Sequence, residues 1–116
     1  DYFWQHAEPG LAALTSKAVK KLMDHGAEVT EVPLPRGWEH VHGWHRTIMA
    51  YDCAREHAAR FEMSPQHYLP QITSLIREGL AISPVEYAAA VEAQQHFQQQ
   101  LFTTYPDIDA LVMPST

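Results

Sequence analysis

The spacing of apolar residues along the chain predicts a mostly helical protein. Between Pro9 and Gly26, apolar side chains recur at the spacing that places them on one side of a helix. Proline suits the first turn of a helix, and glycine favours the left-handed conformation that ends one. A helix should therefore begin at Pro9 and be capped by Gly26. The same spacing predicts a long helix over about 42–61 and a shorter one over 71–77 that ends near Gly79.

The clearest helix start in the sequence lies just after residue 82. The Ser83 hydroxyl can accept a hydrogen bond from the backbone N–H of Glu86, whose carboxylate can reach back to the backbone of Ser83. Pro84 occupies the first helical position, which proline favours. This capping box predicts a helix that runs to about Thr104 and has a glutamine-rich outer side.

Two short apolar runs predict β-strands. Ala27–Val32 is rich in β-branched residues and is followed by Pro33, while Ala110–Met113 is apolar throughout, as in a strand covered on both faces. The order helix, glycine, strand is typical of half a βαβ unit. We therefore predict the α/β fold class: a helix-rich fragment or single domain over residues 1–116, with about two parallel strands and about four helices. The strand that should precede the first helix is missing, so we expect a segment of a larger protein.

Composition excludes several classes of function. The 116 residues carry a net charge of −6, and the small basic cluster of Lys17, Lys20 and Lys21 has the spacing of a solvated helix face. Nucleic-acid binding is therefore not expected, because such proteins gather basic residues on one surface. No apolar run is long enough to cross a bilayer, and a lone Cys53 allows no internal disulfide. We expect a cytoplasmic protein without a membrane or nucleic-acid partner.

A cluster of histidines opens the long predicted helix and invites two interpretations. His42 and His45 are three residues apart and share a helix face, while Glu39 and His40 precede them. Neutral imidazoles are common metal ligands, but a zinc site needs at least three protein ligands in reach. The alternative is a set of polar residues that opens the helix and lines a cleft. We expect no bound metal.

No other group of residues forms a recognisable catalytic constellation. Asp52 and Glu56 lie on one helix face, but arginines beside them favour simple ion pairs over acid–base chemistry. Ser16 and Lys17 are adjacent in a helix and therefore diverge by about 100°. The chain has five glycines and no glycine-rich loop, which excludes a phosphate loop, a dinucleotide fingerprint and a nucleophile elbow. We expect no cofactor.

Four sequence blocks, spread between residue 26 and residue 116, resemble the amidase signature family. Gly26–Pro35 is similar to that family's GA-x-V-x-EV-x-LP stretch, and Ile48–His57 to its IM-x-x-E-A-x-x-x-H helix. Gly79–Tyr87 resembles its G-x-x-I-S-x-x-EY step into a long helix, and Asp109–Thr116 its D-x-L-L-x-P-T strand. The blocks occur in the family's order and spacing. Asp52 stands where the family commonly has Glu, which leaves the substrate open.

This resemblance implies hydrolysis of an amide bond by a Ser–cis-Ser–Lys triad in the N-terminal part of the enzyme. The chain contains no Gly-Gly-Ser-Ser string and no lysine in the family's context, so no catalytic residue is assigned here. In open α/β sheets, ligands bind beyond the carboxyl ends of the strands. On that topology we expect His42, His45, Ser115 and Thr116 to approach a small-molecule amide substrate in the intact enzyme.

The sequence is therefore compatible with three hypotheses about function. The first is an amidase of which this chain is the C-terminal portion, inactive when isolated. The second is a non-catalytic binding or interaction module that has a partial amidase fold. The third is a histidine-rich metal-binding domain. Under the first two hypotheses, unpartnered apolar surface should make the isolated chain self-associate.

Overall fold

A computed structural model describes residues 2–115 and contains five α-helices in this range. They are α1 (Tyr2–His6), α2 (Pro9–Asp24), α3 (Val41–Met63), α4 (Pro70–Ala81) and α5 (Pro84–Thr104). Short 3₁₀ turns at Trp38–His40 and Pro65–His67 precede α3 and α4. The chain divides into two compact units: a terminal unit of residues up to 34 and from 105 onward, and a central unit of residues 35–104. None of these helices is long and apolar enough to span a membrane.

Helix α2 ends as the sequence predicts. Gly26 has a φ of +94°, which L side chains rarely adopt, so this position suits glycine. The Gly26 N–H donates to the Met23 carbonyl at 3.0 Å, and the Ala27 N–H donates to the Leu22 carbonyl at 3.1 Å. This pair of hydrogen bonds is a Schellman motif, which satisfies two of the carbonyls left open at the end of the helix.

The prediction of an α/β fold with two parallel strands is wrong. Residues 27–35 and 110–115 are non-helical, but no β-strand or sheet forms anywhere in residues 2–115. Apolar, β-branched runs favour burial and extension, whereas a strand also needs a neighbour to complete its hydrogen-bond ladder. No described segment supplies such a neighbour, and Val29 and Val112 stay 46% and 50% exposed. The terminal unit instead joins its two segments through a side chain, because the Tyr105 hydroxyl donates to the Pro33 carbonyl.

The central unit consists of α3 packed against α4 on one side and α5 on another. The bounds of α3 agree with the predicted helix over 42–61 to within two residues. Helix α4 is longer than predicted, because Pro70 begins it and Gly79 lies inside it. Gly79 was expected to end the helix, but it serves close packing instead. A Cβ atom there would overlap the Ala50 carbonyl and lie 2.7 Å from the Ala54 Cβ atom.

Small residues therefore set the distance between α3 and α4. Ala50, Ala54 and Ile76 are buried at this contact, with relative exposures of 0%, 2% and 0%. Buried alanine and glycine let two helix backbones approach more closely than larger side chains would allow. A bidentate ion pair closes the exposed edge of the contact, where Arg46 Nε and Nη2 donate to the two Glu78 carboxylate oxygens at 2.5–3.1 Å.

The capping box of α5 forms as predicted. The Glu86 N–H donates to Ser83 Oγ at 3.2 Å, and the Ser83 N–H donates to Glu86 Oε2 at 2.8 Å. The Ser83 hydroxyl also donates to the same carboxylate oxygen at 2.7 Å. These bonds lower the pKa of Glu86 below its ordinary value. Helix α5 then continues to Thr104, the predicted end.

Candidate functional site

An aromatic cluster lies where the chain enters α3. Gly37 takes a φ of +89°, and this turn brings Trp38 back towards Phe97 of α5, with ring centroids 6.1 Å apart. The Trp44 ring lies at the same distance from Phe97. A Cβ atom at Gly37 would lie 3.7 Å from the Trp44 ring. The cluster anchors the N-terminal end of α3 against the C-terminal half of α5.

The predicted substrate-binding residues fall into two separate parts of the chain. His42 and His45 are exposed on the first turns of α3 in the central unit, and the His42 ring meets the Trp38 ring edge-on at a centroid distance of 6.1 Å. Ser115 is exposed in the terminal unit, and Thr116 lies outside the described residues. The convergence of these four residues on one substrate therefore stays a prediction.

The histidine cluster does not assemble a metal site in the part of the chain that the structure describes. Within residues 2–115, no group of three or more His, Cys, Asp or Glu side chains is placed to hold a metal ion. Glu39 and His40 form only an exposed contact of 3.8 Å with each other. A catalytic zinc ion requires three protein ligands, so the metal-binding hypothesis has no support from this geometry.

The carboxylates on α3 have different partners. Glu56 accepts a hydrogen bond from Arg60 at 3.1 Å, which is the ion pair that the spacing predicts. Asp52 instead accepts a hydrogen bond from the Tyr87 hydroxyl on α5, and this bond raises the pKa of Tyr87. The Tyr51 and Tyr87 rings are stacked, with centroids 4.3 Å apart. Sequence reasoning missed this contact, because it joins residues 35 positions apart that lie in two different motif blocks.

Two grooves mark the surface of the central unit. One, with a volume of about 320 Å³, lies between α3 and the start of α5 and is lined by Trp44, Thr47, Ile82, Glu86, Ala89 and Ala90. The other, of about 300 Å³, lies at the C-terminal end of α3 and is lined by Arg60, Met63, Ser64, His67 and Tyr68. Beside the second groove, His57 Nδ1 lies 3.3 Å from the Tyr68 hydroxyl.

Neither groove contains an assembled nucleophile. Ser64 in the second groove has Arg60 and His67 as neighbours along the lining but no lysine. Cys53 is partly buried on α3, as its surrounding helix formers predict. The Ser16 hydroxyl donates to the Ala12 carbonyl at 3.0 Å, within its own helix.

Comparison with known proteins relates the chain to an amidase and to a deaminase. It is 24% identical over 115 residues to an amidase of Pseudomonas putida, an alignment that covers 99% of this chain and 24% of the amidase. It is 27% identical over 119 residues to a 2-amino-5-chloromuconic acid deaminase of Comamonas testosteroni, covering 99% of this chain and 25% of the deaminase. No family model and no solved structure matches. The chain thus spans about a quarter of the length of these relatives.

These alignments confirm the resemblance to amidases that the four sequence blocks indicate. The structure also explains what several residues of those blocks do. Gly79 permits close helix packing, Ser83 and Glu86 cap α5, and Tyr87 bonds to Asp52 across the α3–α5 contact. In the central unit, the residues that carry the resemblance therefore build the helix packing.

Proposed function

We propose that this chain is the C-terminal portion of an enzyme that hydrolyses the C–N bond of a small-molecule amide. The observation that carries the proposal is the extent of the two alignments, which include 99% of the chain but only about a quarter of each relative. A segment of this size can hold part of a substrate pocket without holding the reacting groups. In this proposal, the Ser–cis-Ser–Lys triad that the resemblance to the amidase signature family implies lies outside these 116 residues.

The isolated chain is proposed to be inactive. Its serines that have described partners serve the helices: Ser16 bonds to a carbonyl of α2, and Ser83 caps α5. Attack by a serine hydroxyl requires a base within hydrogen-bond reach, and neither hydroxyl is bonded to a lysine. Loss of one member of a catalytic triad removes most of the rate, so a chain without any member retains no measurable turnover.

In the intact enzyme, we assign His42 and His45 to the substrate pocket. Both imidazoles are exposed at the start of α3, and the His42 ring contacts Trp38 of the aromatic cluster. An amide group presents one acceptor and at least one donor, and a neutral imidazole can serve both. Ser115 and Thr116 belong to the proposal only through the block at 109–116, because residues 2–115 form no sheet that would bring them near the start of α3.

The proposal is tested by expressing the natural reading frame that encodes this chain and measuring ammonia release from a panel of aliphatic and aromatic amides. We expect turnover by the full product and none by the 116-residue chain at the same concentration. His42→Ala and His45→Ala in the full product should raise KM. The matched control is His96→Ala, an exposed histidine on α5, which should leave KM unchanged.

The binding-module hypothesis gives a different pattern in the same experiment. This hypothesis requires that the reading frame encode neither an upstream catalytic lysine nor a Gly-Gly-Ser-Ser loop. It also requires that the product release no ammonia from any amide. That combination would reject the amidase proposal.

A further inference from the structure

The groove between α3 and α5 combines an aromatic wall with a fixed negative charge. Its lining includes one aromatic residue, Trp44, two small residues, Ala89 and Ala90, and two residues with polar side chains, Thr47 and Glu86. At about 320 Å³, the groove accommodates a ligand with the size of a single aromatic ring and a short polar arm.

The Glu86 carboxylate is held in one orientation before any ligand arrives. Its Oε2 atom accepts hydrogen bonds from both the backbone N–H and the hydroxyl of Ser83, at 2.8 and 2.7 Å. Its Oε1 atom has no protein partner among the described residues, so it can accept a bond from a ligand. A carboxylate that is already ordered loses less side-chain entropy on binding than a free surface glutamate.

The charges around the groove favour a cation. Helix α4 ends at Ala81, beside the groove residue Ile82, and has no basic residue of its own in its last turn, so its carbonyl end adds a partial negative charge near the groove. The N-terminal end of α5 has the opposite polarity, but Glu86 lies in its first turn and offsets it. The nearby guanidinium of Arg46 is engaged by both oxygens of Glu78.

We propose that this groove binds small organic ammonium ions, with the cation between the Trp44 indole and the Glu86 carboxylate and with Thr47 as an additional acceptor. A cation over an indole face gains from the ring quadrupole, and an ordered carboxylate adds an ion pair. This binding site is independent of the proposed amide hydrolysis, because it uses no reacting group and can be tested on the isolated chain.

The experiment is a titration of the ¹⁵N-labelled chain with benzylammonium chloride, and with benzyl alcohol as the neutral ligand of matched shape, followed by amide chemical shifts. Benzylammonium should shift the amides of Thr47, Glu86 and Ala89 with a Kd on the order of 10 mM. Benzyl alcohol should bind the same groove roughly ten-fold more weakly, because it lacks the charge. Equal Kd values for the two ligands, or shifts spread over unrelated amides, would overturn the proposal.

Two variants locate the charge that is responsible. Glu86→Gln keeps an acceptor for the Ser83 N–H and hence the helix cap. It should raise the Kd of benzylammonium about five-fold and leave the Kd of benzyl alcohol unchanged. Glu56→Gln removes an exposed carboxylate of α3 that does not line the groove, and it should change neither Kd. If Glu86→Gln disturbs α5, the unmodified chain is titrated in 0.5 M NaCl instead. Salt must then weaken the binding of benzylammonium and leave the binding of benzyl alcohol unchanged. Insensitivity of benzylammonium binding to salt and to Glu86→Gln would reject the site.

Discussion

The contact between Gly79 of α4 and the backbone of α3 gives the sharpest test of the helical packing. Substitution of Gly79 by Ala adds a Cβ atom that would overlap the Ala50 carbonyl and lie 2.7 Å from the Ala54 Cβ atom. Both obstacles are fixed to the backbone of α3, so no side-chain rotation relieves the overlap. The two helices must therefore separate, which loosens the buried contact around Ile76.

Two opposing effects decide the size of the change in stability. Alanine has a higher helix propensity than glycine by about 1 kcal/mol, which would stabilise α4. Forcing an extra methyl group into a packed contact costs roughly 1–3 kcal/mol and more when the neighbour is backbone. Because the obstacle here is a backbone carbonyl, we expect the steric cost to exceed the propensity gain. The net loss of unfolding free energy should be about 1–2 kcal/mol.

The assay is urea unfolding followed by circular dichroism at 222 nm, with Gly43→Ala as the matched control. Gly43 lies in α3, and a Cβ atom there would meet nothing within 4 Å. Gly43→Ala should therefore raise the unfolding free energy by up to about 1 kcal/mol and shift the urea midpoint to a higher concentration. Gly79→Ala should shift the midpoint to a lower concentration. A Gly79→Ala chain as stable as the unmodified chain would refute the close-packing argument.

Three further predictions concern the cap, the pH dependence and the surface. Ser83→Ala should remove the α5 cap and lower the unfolding free energy by about 1 kcal/mol, measured by thermal unfolding, and an unchanged Tm would contradict this. The pKa of Glu78 is lowered mainly by its hydrogen bonds from Arg46, and that of Glu86 by those from Ser83. The contributions of both carboxylates to the unfolding free energy are thus complete above the ordinary glutamate pKa of 4.5, and they are lost as the pH falls through the lower pKa of the folded state. An unfolding free energy that stays constant from pH 6 to pH 3 would argue against them. The isolated chain should self-associate through apolar side chains such as Val85 and Phe102, which are 77% and 72% exposed, and light scattering from a clean monomer at high concentration would refute this.

Local signals allowed the helices to be predicted, because each is specified by residues close together in the sequence. The glycine cap after α2 and the Ser83–Glu86 box before α5 act over three to five residues, and both form as expected. The prediction of two β-strands was wrong because a strand needs a hydrogen-bonded partner from a distant part of the chain. An apolar run such as Ala110–Met113 specifies only a preference, and its partner must come from elsewhere in the chain.

Close packing and cross-helix bonds were also beyond what the sequence pattern could supply. Gly79 carries the same local signal whether it ends a helix or admits a neighbouring backbone, and only the position of Ala50 distinguishes the two. The bond between Asp52 and Tyr87 likewise depends on how α3 and α5 pair. Of the predicted substrate residues, His42 and His45 lie at the start of a helix as the sequence predicts, while their role stays a prediction.

The most direct test of the account is ammonia release from amides by the product of the complete reading frame, measured beside the 116-residue chain. We expect the complete product to hydrolyse at least one amide and to lose this activity when its nucleophilic serine is replaced by alanine. We expect the 116-residue chain to release none. Turnover by the 116-residue chain alone, or a complete product that cleaves no amide, would contradict the account.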